Sequence, residues 1–60
     1  MKGDPVERYV QLYEIRNQLD YMGERGLVLA LEYRMEDLYY SDMDAADHKA
    51  LAIALNNLGG

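Results

Sequence analysis

The sequence has no cysteine, threonine, tryptophan or phenylalanine, and it has a single histidine and a single serine. Without cysteine the chain can form neither a disulfide nor a thiolate metal site. A nucleophilic hydroxyl needs a positioned base, and the pair available here is Ser41 with His48. These residues lie about two helical turns apart in a predicted helix start, which is a poor geometry for that chemistry. We therefore expect no catalytic residues and no enzyme activity.

Basic residues are also few, with six Lys and Arg against eleven Asp and Glu, which gives a net charge of −5. A chain of this sign gains nothing from phosphate groups, so direct binding to nucleic acid or to an anionic membrane surface is disfavoured. The longest apolar run, residues 50–55, is far shorter than the ~20 residues of a bilayer span. The N-terminal sequence lacks the apolar stretch of a secretory signal. The expected location is the cytoplasm.

Apolar residues recur with helical spacing and predict three helices, at about residues 5–22, 27–40 and 44–58. Asp4 and Pro5 are a start signal for the first helix, because an N-cap aspartate here precedes a proline at the first helical position. No segment alternates with the period of a β-strand. The predicted fold class is therefore all-α.

The segment GERG, residues 23–26, predicts the end of the first helix. A glycine directly after a helix can adopt the left-handed conformation that closes the last turn. Such a short connection is typical of antiparallel helices. We expect one domain, residues 1–60, in which a helical hairpin and a C-terminal helix form a three-helix bundle.

The second predicted helix is apolar nearly all the way round, which is typical of a helix buried from several sides. Its main stripe is predicted to face the bundle and consists of Leu27, Leu31, Met35 and Leu38, broadened by Val28 and Tyr39. A second stripe on the far side consists of Leu29, Tyr33 and Tyr40. Two neighbouring helices do not cover both stripes, so we expect a homodimer to complete the bundle.

All six aromatic residues are tyrosines, and there are four methionines. Tyrosine is enriched at surfaces where one end of the side chain is apolar and the other is wet, and methionine adapts to irregular contacts. This composition favours an interaction surface. The candidate interface residues are Leu29, Tyr33, Tyr39 and Tyr40.

The stretch of residues 42–48 holds three aspartates and the histidine. Asp42 and Asp44 match the first and third positions of a calcium loop, but that loop needs glycine at its sixth position and a carboxylate at its twelfth. Asp47 and Ile53 occupy those positions here. We therefore expect neither a metal nor any other cofactor at this stretch.

The same stretch is interpreted as the start of the third helix, with Ser41 or Asp44 as its cap. Asp44 and His48 lie one turn apart, but a metal centre in a helical bundle draws ligands from several helices. His48 has two interpretations. It is a rim residue bonded to a backbone or carboxylate group, or it is a pH-sensitive interface residue, because histidine changes charge near neutral pH.

Residues 45–49, AADHK, resemble the AADHR stretch of the Hha family of small enterobacterial nucleoid regulators, and Asn56 and Leu58 fall in matching places. The resemblance is confined to residues 45–58. We transfer no function from it.

The preferred hypothesis is a small acidic protein–protein interaction module, an adaptor or regulator without catalysis, which binds itself and another protein. The alternative is an acidic inhibitor that mimics nucleic acid and occupies the phosphate-binding surface of a DNA- or RNA-binding protein. Its acidic face would consist of Glu32, Glu36, Asp37, Asp42, Asp44 and Asp47.

Overall fold

Three α-helices and one short π-helix make up most of the chain in the computed structural model, which describes residues 3–59. The α-helices are α1 (Pro5–Tyr21), α2 (Arg25–Asp37) and α3 (Ala45–Gly59), and the π-helix is Leu38–Asp42. Helical residues account for 88% of the described residues, and no strand is present among them. The all-α class is therefore confirmed.

The first helix begins where the sequence predicts. Asp4 is its N-cap, and the Asp4 carboxylate Oδ1 accepts a hydrogen bond from the Val6 amide at 3.0 Å. Pro5 occupies the first helical position, where its missing N–H costs no helical hydrogen bond. These contacts fix the start of α1.

The end of α1 is a Schellman motif centred on Gly23. The Gly23 amide donates to the Asp20 carbonyl at 3.1 Å, and the Glu24 amide donates to the Leu19 carbonyl at 2.9 Å. Gly23 has φ = +83°, in the left-handed region that favours glycine. The predicted role of this glycine is confirmed.

The second helix begins two residues before the predicted position 27, so that Arg25 and Gly26 belong to its first turn. The connection is therefore shorter than the predicted segment 23–26. Glu24 precedes the helix and makes no side-chain capping bond. The sequence carries no start signal at this point, which explains the error in the boundary.

The predicted helix 27–40 is in fact two elements, since α2 ends at Asp37 and continues as the π-helix. The wider π-helical turn shifts the direction of the side chains that follow it. Met43 then adopts an extended conformation and is buried, although no pattern in the sequence places it in the core. The third helix begins and ends one residue after its predicted bounds.

The helices meet around α1, which packs against α2, the π-helix and α3. Leu38, Met43 and Leu51 form the central buried cluster, and Leu51 is 2% exposed. Partly buried apolar residues surround this cluster: Val6, Tyr9, Val10, Leu12, Tyr39 and Leu55. The core thus lies where the first half of α1 crosses the π-helix and α3.

The inward face of α2 differs from the predicted main stripe at one end. Leu27 is 52% exposed, whereas its neighbour Val28 is 7% exposed. Val28, Leu31, Met35 and Leu38 follow steps of three, four and three, so the buried face is centred nearer to Val28 than predicted. Leu31 is only half-buried, while Met35 and Leu38 are buried.

Two glycine substitutions should have opposite effects on stability. Gly26 lies in α2 without a positive φ, and an added Cβ would meet nothing within 4 Å beyond its chain neighbours and its own helix backbone. Gly26→Ala should therefore raise the free energy of unfolding by about 0.5–1 kcal/mol. Gly23→Ala should lower it by about 1–2 kcal/mol, because alanine is strained in the left-handed conformation. Urea titrations followed by circular dichroism would measure both. A destabilising Gly26→Ala would contradict the observed start of α2.

Removal of the most buried side chain should unfold much of the protein. Leu51→Ala leaves a cavity in the central cluster and should cost about 2–5 kcal/mol, which is comparable with the whole stability of a domain of this size. Ile53→Ala on the exposed side of α3 is the matched control and should cost less than about 1 kcal/mol. Equal losses in thermal melts of the two variants would contradict the observed core.

Candidate functional site

An open groove lined by tyrosines runs between α1 and the segment formed by α2 and the π-helix. Its volume is about 600 Å³. We call it the tyrosine groove, and its lining residues are Tyr9, Tyr13, Arg16, Glu32, Met35, Glu36, Tyr39 and Tyr40. The two walls come from residues distant in sequence, so the groove exists because α1 packs against α2.

Tyr39 is at the centre of an aromatic cluster at one end of this groove. Its ring centroid is 6.4 Å from that of Tyr9 and 5.1 Å from that of Tyr40, which it meets edge to face. On another side it stacks on the His48 imidazole at 4.0 Å with an interplanar angle of 12°. Such aromatic pairs add stability beyond the burial of their area. Tyr39 is half-buried and supports Tyr40 from within the chain.

His48 also binds the backbone of the residue on which it stacks. Its Nε2 lies 2.7 Å from the Tyr39 carbonyl oxygen. A carbonyl only accepts, so Nε2 carries the hydrogen and donates it. Tyr39 lies in the last turn of its helix, where carbonyls lack intrahelical donors, and His48 supplies the donor. The interpretation of His48 as a residue bonded to a backbone group is confirmed, whereas its role in an interface stays a prediction.

An ion pair lies across the tyrosine groove between α1 and α2. Arg16 Nε donates to Glu32 Oε2 at 2.9 Å, and Arg16 also donates to the Asn17 side-chain oxygen at 3.0 Å. Both members of the pair are partly exposed, so the net stabilisation is small. Its main consequence is positional, because it holds a guanidinium beside the tyrosines. Glu36, one turn further along α2, is exposed at the rim.

Burial raises the pKa of the Tyr9 phenol above its ordinary value of 10.0. The neighbouring groups Tyr39, Tyr13, Glu32 and Tyr40 act in the same direction, because a negative charge on them disfavours ionisation of Tyr9. Tyr9 therefore stays protonated through neutral pH and can act as a hydrogen-bond donor in the groove.

The predicted second stripe of α2 lies on the surface. Leu29 is 56% exposed, and Tyr33 and Tyr40 are each 74% exposed. Tyr33 and Tyr40 border the same shallow depression, with Glu36, Asp37 and Ser41. We call Leu29, Tyr33 and Tyr40 the exposed stripe. Tyr39, the fourth candidate interface residue, lies beneath Tyr40 in the aromatic cluster.

The six carboxylates of the predicted acidic face border several surface features, and Glu36 and Asp37 both border the depression beside Tyr33 and Tyr40. Glu32 and Glu36 line the tyrosine groove, where Glu32 is paired with Arg16. Asp37 and Asp42 border a separate groove that also contains Arg8 and Arg34. Asp44 and Asp47 lie at the start of α3.

The start of α3 is a reciprocal cap. The Asp44 carboxylate accepts from the Asp47 amide at 2.9 Å, and the Asp47 carboxylate accepts from the Asp44 amide at 3.3 Å. Asp44 is therefore the cap, and Ser41, the other candidate, donates instead to Asp37 at 3.3 Å. The interpretation of the acidic stretch as a helix start is confirmed.

Within residues 3–59, no three His, Asp or Glu side chains are placed to share a metal ion. Over the same residues, no helix combines the length and the apolar character needed to cross a membrane. Comparison with known proteins found no matching family model, no matching curated protein and no matching solved structure.

One wall of the tyrosine groove contains residues that the sequence marks as candidates, and the other wall does not. Tyr39, Tyr40, Glu32 and Glu36 are among the predicted site residues, whereas the residues contributed by α1 are not. Tyr9, Tyr13 and Arg16 follow one another at steps of four and three residues, so they share one face of α1. That spacing is the signal that could have identified them, but it does not reveal which face of α2 lies opposite.

Ionisation of Tyr9 should make stability depend on alkaline pH. The unfolded phenol loses its proton near pH 10, while the raised pKa keeps the folded phenol protonated. The unfolded state then binds fewer protons, so the free energy of unfolding should fall as pH rises above 10. Tyr9→Phe should make this fall shallower, and Tyr21→Phe, at a fully solvated position, should leave it unchanged. Urea titrations between about pH 9 and pH 11, one unit on either side of the ordinary phenol value, would show this. Identical slopes for all three proteins would contradict it.

Proposed function

We propose that this chain is a small acidic protein–protein interaction module that acts as an adaptor or regulator, forms a homodimer and carries out no catalysis. Its dimer interface is the exposed stripe, with Tyr39 holding Tyr40 in place from behind. A cytoplasmic location and a second protein partner are part of the same proposal. The observation that carries it is the exposure of Leu29 and Tyr33 on α2 and of Tyr40 on the π-helix that continues it.

The total exposed surface supports a missing partner. A monomeric protein of 6.9 kDa exposes about 4,000 Å², whereas this chain exposes 4732 Å². The excess of about 700 Å² is similar to the ~800 Å² that each partner contributes to an interface of standard size. Association with another chain would bring the buried fraction to the usual level.

The chemistry of the exposed stripe suits a two-fold contact. Tyrosine and leucine side chains supply apolar area, and the tyrosine hydroxyls can stay in contact with water at the edge of the interface. A two-fold axis buries the same patch on both chains and needs no second complementary surface. Since both copies carry a net charge of −5, added salt should screen their repulsion and strengthen the dimer.

The positions of the carboxylates give less support to nucleic-acid mimicry. A mimic needs negative charges arranged as a continuous surface that a phosphate-binding protein can accept. Positive side chains interrupt the acidic face instead. Glu32 is paired with Arg16, and the groove that Asp37 and Asp42 border also contains Arg8 and Arg34. We therefore favour the interaction module.

Replacement of two residues in the exposed stripe should separate the dimer. The double variant Leu29→Glu with Tyr33→Lys places opposite charges on an apolar contact and keeps the net charge unchanged. The matched control is Ile53→Glu with Leu58→Lys, at two similarly exposed positions on α3. Sedimentation velocity over a hundredfold range of concentration should show a dimer for the wild type and the control, and a monomer for the first variant.

The same experiment can contradict the proposal in two ways. A wild type that stays monomeric at high micromolar concentration would exclude the homodimer. Dissociation by the α3 variant, with no effect of the α2 variant, would place the interface on the wrong helix. Higher salt should increase the dimer fraction of the wild type, because the contact is apolar and the two chains repel each other.

A further inference from the structure

The tyrosine groove combines aromatic walls with an acidic rim and is open to solvent in the single chain. Tyr9 and Tyr13 line it from α1, and Tyr39 and Tyr40 line it from the π-helix. Its volume of about 600 Å³ lies in the range of pockets that bind small ligands. The groove is therefore large enough for one or two side chains of another polypeptide.

The tyrosine groove carries more negative than positive charge. Two glutamates and one arginine line it, which leaves a net charge of −1. Arg16 is bound to Glu32, and among residues 3–59 the structure shows no ion pair to Glu36. A cationic group that enters the groove would find an exposed carboxylate at the rim and tyrosine rings along its walls.

A guanidinium already forms part of the groove lining beside a glutamate. Arg16 lines the groove together with the four tyrosines, and its Nε lies 2.9 Å from the Glu32 carboxylate. The faces of tyrosine rings attract cations because they carry partial negative charge. Glu36 is one helical turn beyond Glu32 on the same side of α2, and it offers a second position for the same kind of contact.

We propose that the tyrosine groove binds a basic segment of a partner protein, with an arginine or lysine side chain of that segment against the tyrosine rings and its charge beside Glu36. The proposal rests on the proposed function and specifies the chemistry of the second partner. An anionic partner would be repelled by the net charge of −5. A purely apolar partner would leave Glu36 and the tyrosine hydroxyls without compensation for lost water.

The test uses the full chain and a defined probe, the peptide acetyl-Gly-Arg-Gly-Arg-Gly-amide, with a control peptide that carries neutral citrulline in place of each arginine. Titration of isotope-labelled protein, followed by nuclear magnetic resonance, should give saturable shifts concentrated at the groove residues. The citrulline peptide should give none. A lysine version of the probe should bind more weakly, because lysine lacks the planar group that stacks on aromatic rings.

Two pairs of variants identify the groove as the binding site. Glu36→Gln should weaken binding of the arginine peptide about tenfold, since a bond to a charged group is lost. Glu14→Gln makes the same change of charge at an exposed position on α1 outside the groove lining, and it should have little effect. Tyr13→Leu should weaken binding about threefold by removing the ring, whereas Tyr13→Phe should preserve it. Circular dichroism of each variant would check that it is folded.

Several results would overturn the proposal. These are the absence of saturable shifts up to low millimolar peptide, equal weakening by Glu36→Gln and Glu14→Gln, or equal binding of the arginine and citrulline peptides. A further result would be that the groove residues shift when the protein is diluted without peptide and show no further shift when peptide is added. That result would assign the groove to a second copy of the chain and overturn the proposal. Tyr40 borders both surfaces, so neither experiment replaces it. The two proposals can still fail separately, because Leu29 and Tyr33 do not line the groove, Glu36 and Tyr13 do not belong to the exposed stripe, and sedimentation is measured without peptide.

Discussion

The number of side chains that the chain can bury is the constraint on which the rest of the structure depends. Among residues 3–59, five are buried: Val28, Met35, Leu38, Met43 and Leu51. A core of this size gives only a few kcal/mol of stability, on the order of 3–5 kcal/mol. The helices therefore cannot cover all their apolar surface within one chain. The far side of α2 remains exposed for this reason, and we attribute the proposed dimer to the same cause.

The contact of His48 with Tyr39 connects the core to the candidate site. His48 lies on α3, stacks on the Tyr39 ring and donates to the Tyr39 carbonyl in the π-helix. Tyr39 in turn contacts Tyr9 and Tyr40, the two sides of the tyrosine groove. One interaction thus closes a helix end, attaches α3 and orders the aromatic cluster. The groove and the exposed stripe share Tyr40, so both proposed contacts depend on this connection.

Local signals predict the helices well, and the contacts between helices are harder to predict. Asp4, Gly23 and Asp44 mark helix ends through bonds to nearby backbone atoms. The sequence alone identifies the first two and leaves Asp44 and Ser41 as alternatives for the third. No local pattern in the sequence encodes the π-helix or the burial of Met43, which packs with Leu38 and Leu51 in the central cluster. The choice of Val28 over Leu27 is not encoded either, because a helix that is apolar all round does not specify which face turns inward. The candidate site follows this division: its α2 wall is predictable, and its α1 wall depends on how the helices pack.

The central claim is that the exposed stripe of one chain is covered by the same stripe of a second chain. Isotope-filtered nuclear Overhauser measurements on a mixture of ¹³C-labelled and unlabelled protein test it most directly, because they detect contacts between chains alone. We expect intermolecular signals that link the Leu29 methyl groups of one chain to the Tyr33 or Tyr40 rings of the other. Intermolecular signals that arise instead from Ile53 and Leu58 on α3, or their complete absence at millimolar concentration, would contradict the claim.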